Sequence, residues 1–320
     1  MSTSYAEPVL TWYARNARDL PWRAPDATPW AVLVSEIMLQ QTPVARVLPE
    51  YLSWIARWPT PAALAAAPAG EAIRQWGRLG YPRRALRLHE TATILVARHG
   101  GTVPADLDAL RALPGIGSYT AAAVASFAFG QRHAVLDTNV RRVLARLVSG
   151  QPWAGTASSV SVAERRLAES LLPAEPAVAA RWSVAVMELG ALVCTAAGPR
   201  CGDCPVAREC TWLAAGRPEV SGTVATAGAA GVPRAAGASG ASGAARRRTQ
   251  KYEGTDRQCR GRVLAVLRAT GDPVRRADFD AVWTGQTQLE RALDGLVADG
   301  LVDPLPDGRF ALPGSAPLSR

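Results

Sequence analysis

Lysine is almost missing from this chain. Of its 36 basic residues only Lys251 is not an arginine. A guanidinium stays protonated and does not attack carbon, so the first 250 residues offer no side-chain amine nucleophile, and only the N-terminus could take that role. Histidine is scarce too: His89, His99 and His133 are the whole set. No apolar run reaches membrane-spanning length, which excludes a transmembrane helix. Met1 to Leu20 carries Arg15, Arg18 and Asp19 and lacks the apolar stretch of a secretory signal. No strand-period pattern occurs before residue 213. The expectation is a soluble, cytoplasmic protein with no membrane partner, all-helical over its first two-thirds.

What the chain does have is arginine and helical periodicity. At 320 residues, 48% hydrophobic and 20% charged, it has room for one large domain or two to three small ones. The net charge is +9 and the pI about 9.9, which favours a polyanionic partner. Helical patterns cover 5–17, 30–39, 44–58, 61–67, 71–79, 83–99, 107–113, 118–129, 138–148 and 181–193. Thr42-Pro43 and Gly80-Tyr81-Pro82 interrupt them, because Gly and Pro punctuate helices.

The stretch from Trp30 to Leu39 is apolar except for Ser35 and Glu36. A helix that is apolar all round belongs in a core. The residues three and four away from Glu36 are Val32, Leu33, Leu39 and Gln40, and none can neutralise a carboxylate. Buried there, Glu36 is costly to ionise and its pKa rises. A carboxylic acid still protonated near neutral pH is what a general acid needs. The alternative is a helix-start glutamate that faces water, and these residues alone leave both readings open.

Leu107 to Leu113, Pro114-Gly115-Ile116-Gly117 and Ser118 to Phe129 read as helix, tight turn, helix. Gly115 and Gly117 permit backbone angles and close approaches that a Cβ would block. Free N–H groups at the start of the following helix form a phosphate site. An ordinary helical hairpin is the plainer reading. Downstream, Asp137 precedes a helix and can cap it. Capping and function are compatible, since a carboxylate that accepts backbone N–H groups at a helix start stays ionised. A neutral Glu36 and a charged Asp137 would be the split pair that acid/base or charge-stabilising chemistry uses.

Cys194, Cys201, Cys204 and Cys210 follow the spacing C-x6-C-x2-C-x5-C. Four thiolates in one loop can wrap one metal centre, and disulfides are disfavoured in the cytosol. Spacing alone leaves zinc and an iron–sulfur cluster both open. Cys259 stands apart and is read as a free cysteine.

Taken together, Leu113 to Ala123 (LPGIGSYTAAA) and Leu136 to Val140 (LDTNV) resemble the helix-hairpin-helix DNA glycosylase superfamily, and the cysteine spacing is similar to its [4Fe-4S] loop. Ser35 to Thr42 (SEIMLQQT) is similar to the adenine DNA glycosylases, the MutY type, within that superfamily. The resemblance runs from about Leu10 to Trp212. It implies an all-α fold: a six-helix barrel over 25–137, and a helical lobe from 1–24 and 138–213 with the cluster on the four cysteines. The active site would lie between them. The implied reaction is hydrolysis of the N-glycosidic bond of adenine opposite guanine or 8-oxoguanine in double-stranded DNA, by a monomer associated with the nucleoid.

The resemblance also implies roles. Glu36 matches the acid that protonates the flipped adenine, and Asp137 the carboxylate that stabilises the oxocarbenium-like sugar, parallel to two-carboxylate sugar hydrolysis. Tyr119 matches a tyrosine of the catalytic pocket and Asn139 a supporting polar residue. Gln41 and Tyr81 match residues that wedge into the duplex, with Leu39 beside them; Arg18 and Trp22 match the pocket wall. Gly115 and Gly117 match the DNA-binding hairpin. For Trp22 and Tyr81, core packing is the plain alternative. Base flipping requires both wedges and a closed pocket. In the related endonuclease III type a lysine follows the hairpin glycines and forms a Schiff base; here that position is Tyr119, so water is the implied nucleophile, with little strand cleavage.

The sequence departs from the MutY pattern in three places. Pro82 stands where a second tyrosine is common, and Val184 where a Gln or Glu near the adenine is common. No MutT-like domain or Phe-Ser-His motif follows the cysteines. Instead, 214–248 reads as a flexible Gly/Ala/Ser linker, and 249–320 as a winged-helix-like module with helices near Arg260 to Leu267 and Gln286 to Ala298 and a hairpin over Leu301 to Leu312. The module could bind the DNA backbone or only pack. The rival readings are an endonuclease III-like pyrimidine-damage glycosylase, which Glu36 and the missing lysine oppose, and a non-catalytic metal-loop DNA-binding protein, which the paired carboxylates oppose.

Overall fold

A computed structural model describes residues 5–153, 159–218 and 252–315, which fold around three main apolar cores. Helix α1 (Ala6–Asn16) leads to a short turn at Pro21–Arg23 and then to α2 (Pro29–Leu39). Thr28 caps α2 by accepting the N–H of Ala31, and Pro29 takes a first-turn position that needs no donor. α3 (Val44–Arg57), α4 (Pro61–Ala65), α5 (Ala69–Gln75), α6 (Arg83–Arg98), α7 (Leu107–Arg111) and α8 (Ser118–Phe129) complete the barrel lobe, three of them only five to seven residues long. Its core holds the indoles of Trp54, Trp58 and Trp76 in edge-to-face contacts, an arrangement that suits the ring quadrupoles.

The second lobe takes α1 from the start of the chain and adds α9 (Thr138–Leu147), α10 (Val162–Leu171), α11 (Pro176–Leu192) and α12 (Thr211–Ala214). α11 is its spine and packs on α1, α8 and α9. It begins five residues before the point its apolar pattern marks, because Glu175 caps it through the N–H groups of Ala177 and Val178. α10 was not anticipated; its start is a capping box formed by Ser161 and Glu164.

Beyond residue 252, α13 (Asp256–Thr270), β1 (Val274–Arg275), α14 (Gln286–Ala298), β2 (Asp303–Pro304) and β3 (Arg309–Ala311) form the C-terminal module. The expected hairpin is two-thirds of an antiparallel sheet of order β1-β3-β2. Most of the anticipated linker, from residue 219 onward, lies outside the described residues. The module sits on the barrel. The Gly70 N–H donates to the Pro313 carbonyl at 2.6 Å, Arg268 Nε donates to the Ile73 carbonyl at 3.0 Å, and the Ile73 side chain lies in the module's own core. Any Cβ on Gly70 would come within 2.7 Å of the Leu312 Cβ, so only glycine permits this seat. Residues 249–320 carry ten acidic and ten basic side chains, and four of the arginines lie on α13.

Candidate active site

A cleft of about 1300 Å³ opens between the two lobes. α2 forms one wall and is buried along nearly its whole length, from Trp30 to Met38. Glu36 is only 6% exposed, so the water-facing reading of this residue does not hold. It accepts a hydrogen bond from the phenol of Tyr119, the second residue of α8, which packs against α2. Burial pushes the Glu36 carboxyl up to about 7, against the Tyr119 bond; Asp137 adds to the rise and Arg23 opposes it. Burial and the two carboxyls push the Tyr119 phenol well above its ordinary value, which keeps it a neutral donor.

Asp137 caps α9. One carboxylate oxygen accepts the Val140 N–H at 2.6 Å, and the other accepts the Asn139 side-chain amide at 2.8 Å. These bonds were expected to keep Asp137 ionised. Its pKa is raised, because burial outweighs the donors from Val140 and Asn139 and the charge of Arg142. Both carboxyls are thus shifted upward, that of Glu36 to about 7. Asn139 is held in turn by Arg142, which donates to its amide oxygen at 2.7 Å, to the Gly190 carbonyl at 2.7 Å and to the Cys194 carbonyl at 2.7 Å. Gly190 lets α11 approach closely here: a Cβ would sit 2.7 Å from that of Asn139.

The cleft brings together Glu36, Tyr119, Asp137, Asn139, Arg18, Trp22, Leu39, Gln41, Gly115 and Gly117. Trp22 serves both readings, since it lines the cleft and packs edge-on against Tyr51 at 5.0 Å. Val184 lines it as well. In the hairpin only Gly115 needs its lack of a side chain for conformation, at φ +75 with Arg87 packed over it; Gly117 is extended at φ −88. Gly117 offers no side-chain cap, which leaves the first N–H groups of α8 open toward the cleft. Tyr81 does not line the cleft; it is 55% exposed on the loop before α6.

Three contributors escaped the sequence reading. Glu188 of α11 is fully buried, and Arg18 clasps it with Nε and Nη2, both at 2.7 Å, and with its backbone N–H. Arg23 adds a bond at 2.9 Å. Burial would push Glu188 up, but the two arginines outweigh it and hold it at about 2. Arg142 was signalled only by its position one helical turn after Asn139. Arg84, which lines the cleft, had no sequence signal.

The four cysteines are half-buried at the edge of the second lobe's core, and none is in a disulfide. Burial raises Cys204, and the other three sulfurs add to the rise, so all four share one neighbourhood. Arg146 donates to the Cys194 sulfur at 3.3 Å, as a thiolate ligand would accept. This donor chemistry fits a thiolate-bound metal centre. As the side chains stand, no group of His, Cys, Asp or Glu among the described residues is drawn into a formed metal site.

Residues 34–170 match the family described as HhH-GPD superfamily base excision DNA repair protein. The chain is 52% identical to an adenine DNA glycosylase of Mycobacterium tuberculosis over 307 residues, covering 96% of this chain and 92% of that one. It is 49% identical to an adenine DNA glycosylase of Mycolicibacterium smegmatis over 321 residues, covering 100% and 99%. Among solved structures, a thermostable thymine-DNA glycosylase matches with a TM-score of 0.58 at 28% identity, over 66% of this chain and 95% of that one.

Proposed function

The chain belongs to the adenine DNA glycosylases of the helix-hairpin-helix superfamily, enzymes of base-excision repair, and we propose that its substrate is adenine mispaired with guanine or 8-oxoguanine. One observation carries the mechanism: a buried Glu36, with a carboxyl near 7, faces a cleft between two lobes. An adenine swung out of the stack into that cleft would meet a protonated acid. Proton transfer to a ring nitrogen turns the base into a leaving group. Asp137, fixed by Val140 and Asn139, supplies negative charge to the cationic sugar that develops as the bond breaks. Tyr119, neutral and bonded to Glu36, orients the acid.

Water completes the displacement in this reading. Lysine is missing from all of the first 250 residues, so no side-chain amine stands ready to form a Schiff base, and strand cleavage is not expected. Gln41, Tyr81 and Leu39 act on the duplex beside the lesion, Arg18 and Trp22 form the pocket wall, and the open N–H groups after Gly115 and Gly117 take a backbone phosphate. Cys194, Cys201, Cys204 and Cys210 would hold a [4Fe-4S] cluster, which would fix the loop after α11. Among the described residues no helix is long and apolar enough to cross a membrane; action as a monomer on the nucleoid is part of the proposal.

Single-turnover release of adenine tests the reading, with duplexes that carry A opposite 8-oxoguanine, guanine, cytosine or thymine. The first two should react, and Glu36→Gln and Asp137→Asn should abolish release. Cleavage of strands with oxidised pyrimidines instead would replace the proposed substrate.

A further inference from the structure

Gln41 and Tyr81 share an uncommon backbone state. They lie at φ +55 and φ +48, and only one other described residue that is not glycine, Arg217, has a positive φ. L-residues adopt this left-handed region only where their surroundings hold them in it. Gln41 sits between α2 and α3, and Tyr81 sits between α5 and α6. The two loops are far apart in sequence and belong to different helix pairs.

Two arginines bridge them in opposite directions. Arg84, in the first turn of α6 on the Tyr81 side, donates Nη1 to the carbonyl of Gln40, the residue before Gln41. Arg46, in the first turn of α3 on the Gln41 side, donates Nη2 to the carbonyl of Arg78 in the loop that leads to Tyr81. Arg84 also lays its guanidinium over the Tyr81 ring, 4.5 Å from the centroid, a cation–π contact. Neither arginine forms an ion pair with a carboxylate among the described residues. Arg84 is half-buried, and burial lowers its pKa. A desolvated guanidinium spent on a carbonyl and a ring face, with no counter-charge, is doing geometry rather than charge balance.

We infer that Arg84, with Arg46 as its reciprocal, straps the Gln41 and Tyr81 loops into one rigid wedge that holds the duplex open during adenine extrusion. This rests on the reading of Gln41 and Tyr81 as wedge residues. A base pair recloses by restacking, so a wedge works only if its two parts cannot splay. The straps supply that resistance from outside the stack. Arg84 is then a positioning residue: it assists extrusion and leaves the glycosidic chemistry alone.

The test separates extrusion from chemistry in the full-length protein. Single-turnover adenine release is measured on a fully paired duplex, A opposite 8-oxoguanine, and on the same A:8-oxoguanine pair flanked by mismatches, already loosely stacked. A 2-aminopurine beside the adenine reports unstacking by stopped-flow fluorescence. Arg84→Met should slow unstacking and paired release about tenfold and release from the loosened pair by less than about twofold, a factor of ten being a modest change in barrier. Arg84→Lys, which keeps charge and a donor but loses the planar stack, should fall between. Arg46→Met should act in the same direction, and it serves if Arg84→Met fails to fold. Equal loss on both substrates, or no loss on either, overturns the strap. Gln41→Ala and Tyr81→Ala are run alongside. If they slow paired release and the arginine variants do not, the strap alone fails; if they too leave it unchanged, the wedge reading falls and the strap with it.

Discussion

Asn139 gives its side-chain amide to Asp137 at 2.8 Å while Arg142 grips the oxygen of that same amide at 2.7 Å. The aspartate is thus oriented by a residue that is itself clamped at its other end. Burial already raises the Asp137 pKa, and the Asn139 bond is one of the few forces drawing it down. Asn139→Leu removes that force, so the Asp137 pKa should rise further. The proposed chemistry needs the carboxylate form. The acid limb of the rate profile should therefore move to higher pH by about one unit, as expected for one lost hydrogen bond to a charged group. Adenine release measured from pH 5 to 8 should lose most at the acid end; a uniform loss would mean that Asn139 does not act through Asp137.

Glu36 sets the opposite limb. Its carboxyl lies near 7, and the proposed chemistry needs it protonated. Adenine release should fall about tenfold per pH unit above that point. The same shift governs stability. A folded-state pKa raised above the unfolded value means that ionisation opposes folding, and this cost grows as pH climbs from about 4.5 through 7. Taken whole, it amounts to about 3 kcal/mol at alkaline pH. Glu36→Gln should be inactive, yet melt higher than wild type at pH 8 and near it at pH 4. A lower melting temperature at pH 8 would contradict the burial argument.

Glu188 should behave in the reverse sense. Its folded-state carboxyl is held at about 2, so it stabilises the fold above its unfolded value near 4.5, and that contribution fades as pH falls toward 2. Glu188→Gln leaves Arg18 and Arg23 without their shared acceptor. Breaking a buried pair of this kind costs about 3 kcal/mol. Thermal melts of the two proteins should differ widely at pH 7 and converge at the acid end.

The C-terminal module can be unseated at one atom. Gly70→Leu would drive a side chain into Leu312 and Pro313. Arg83 of the wedge-side helix pairs with Asp299 of the module at 3.2 Å, so unseating should be felt at the Tyr81 loop. Adenine release itself should change little, and any preference among opposite bases should shrink. An unchanged preference would leave the module as packing alone. With acidic and basic side chains equal in number over 249–320, the module as a whole has no net positive charge with which to grip phosphates.

Glu36 and Glu188 show what a sequence can and cannot disclose. Each is a lone acid in an apolar helix, WAVLVSEIML and WSVAVMELGAL. The argument from missing helical partners applies equally to both. It holds for Glu36, whose carboxyl burial lifts, and fails for Glu188, because Arg18 and Arg23 reach it from 170 and 165 residues away. Burial was legible from periodicity; the counter-charge came from tertiary packing, which periodicity does not encode. The same divide explains the helices. Long periodic segments such as α3, α6 and α8 fall close to where their patterns put them. α10 is short, polar and set by its cap, and β1 is two residues long, so neither carries a pattern to read. The cysteine spacing gave a loop, and Asp137 gave a helix start. The rise in its pKa depended on how deeply the two lobes enclose it.

The left-handed backbone at Gln41 and Tyr81 has a consequence for anyone selecting heat-tolerant variants of this enzyme. Glycine at either position would relieve the torsional penalty, so a screen that scores only survival at high temperature should favour it. Such winners would be sturdier and slower on paired duplexes, having exchanged a stiff side chain for comfort in the main chain.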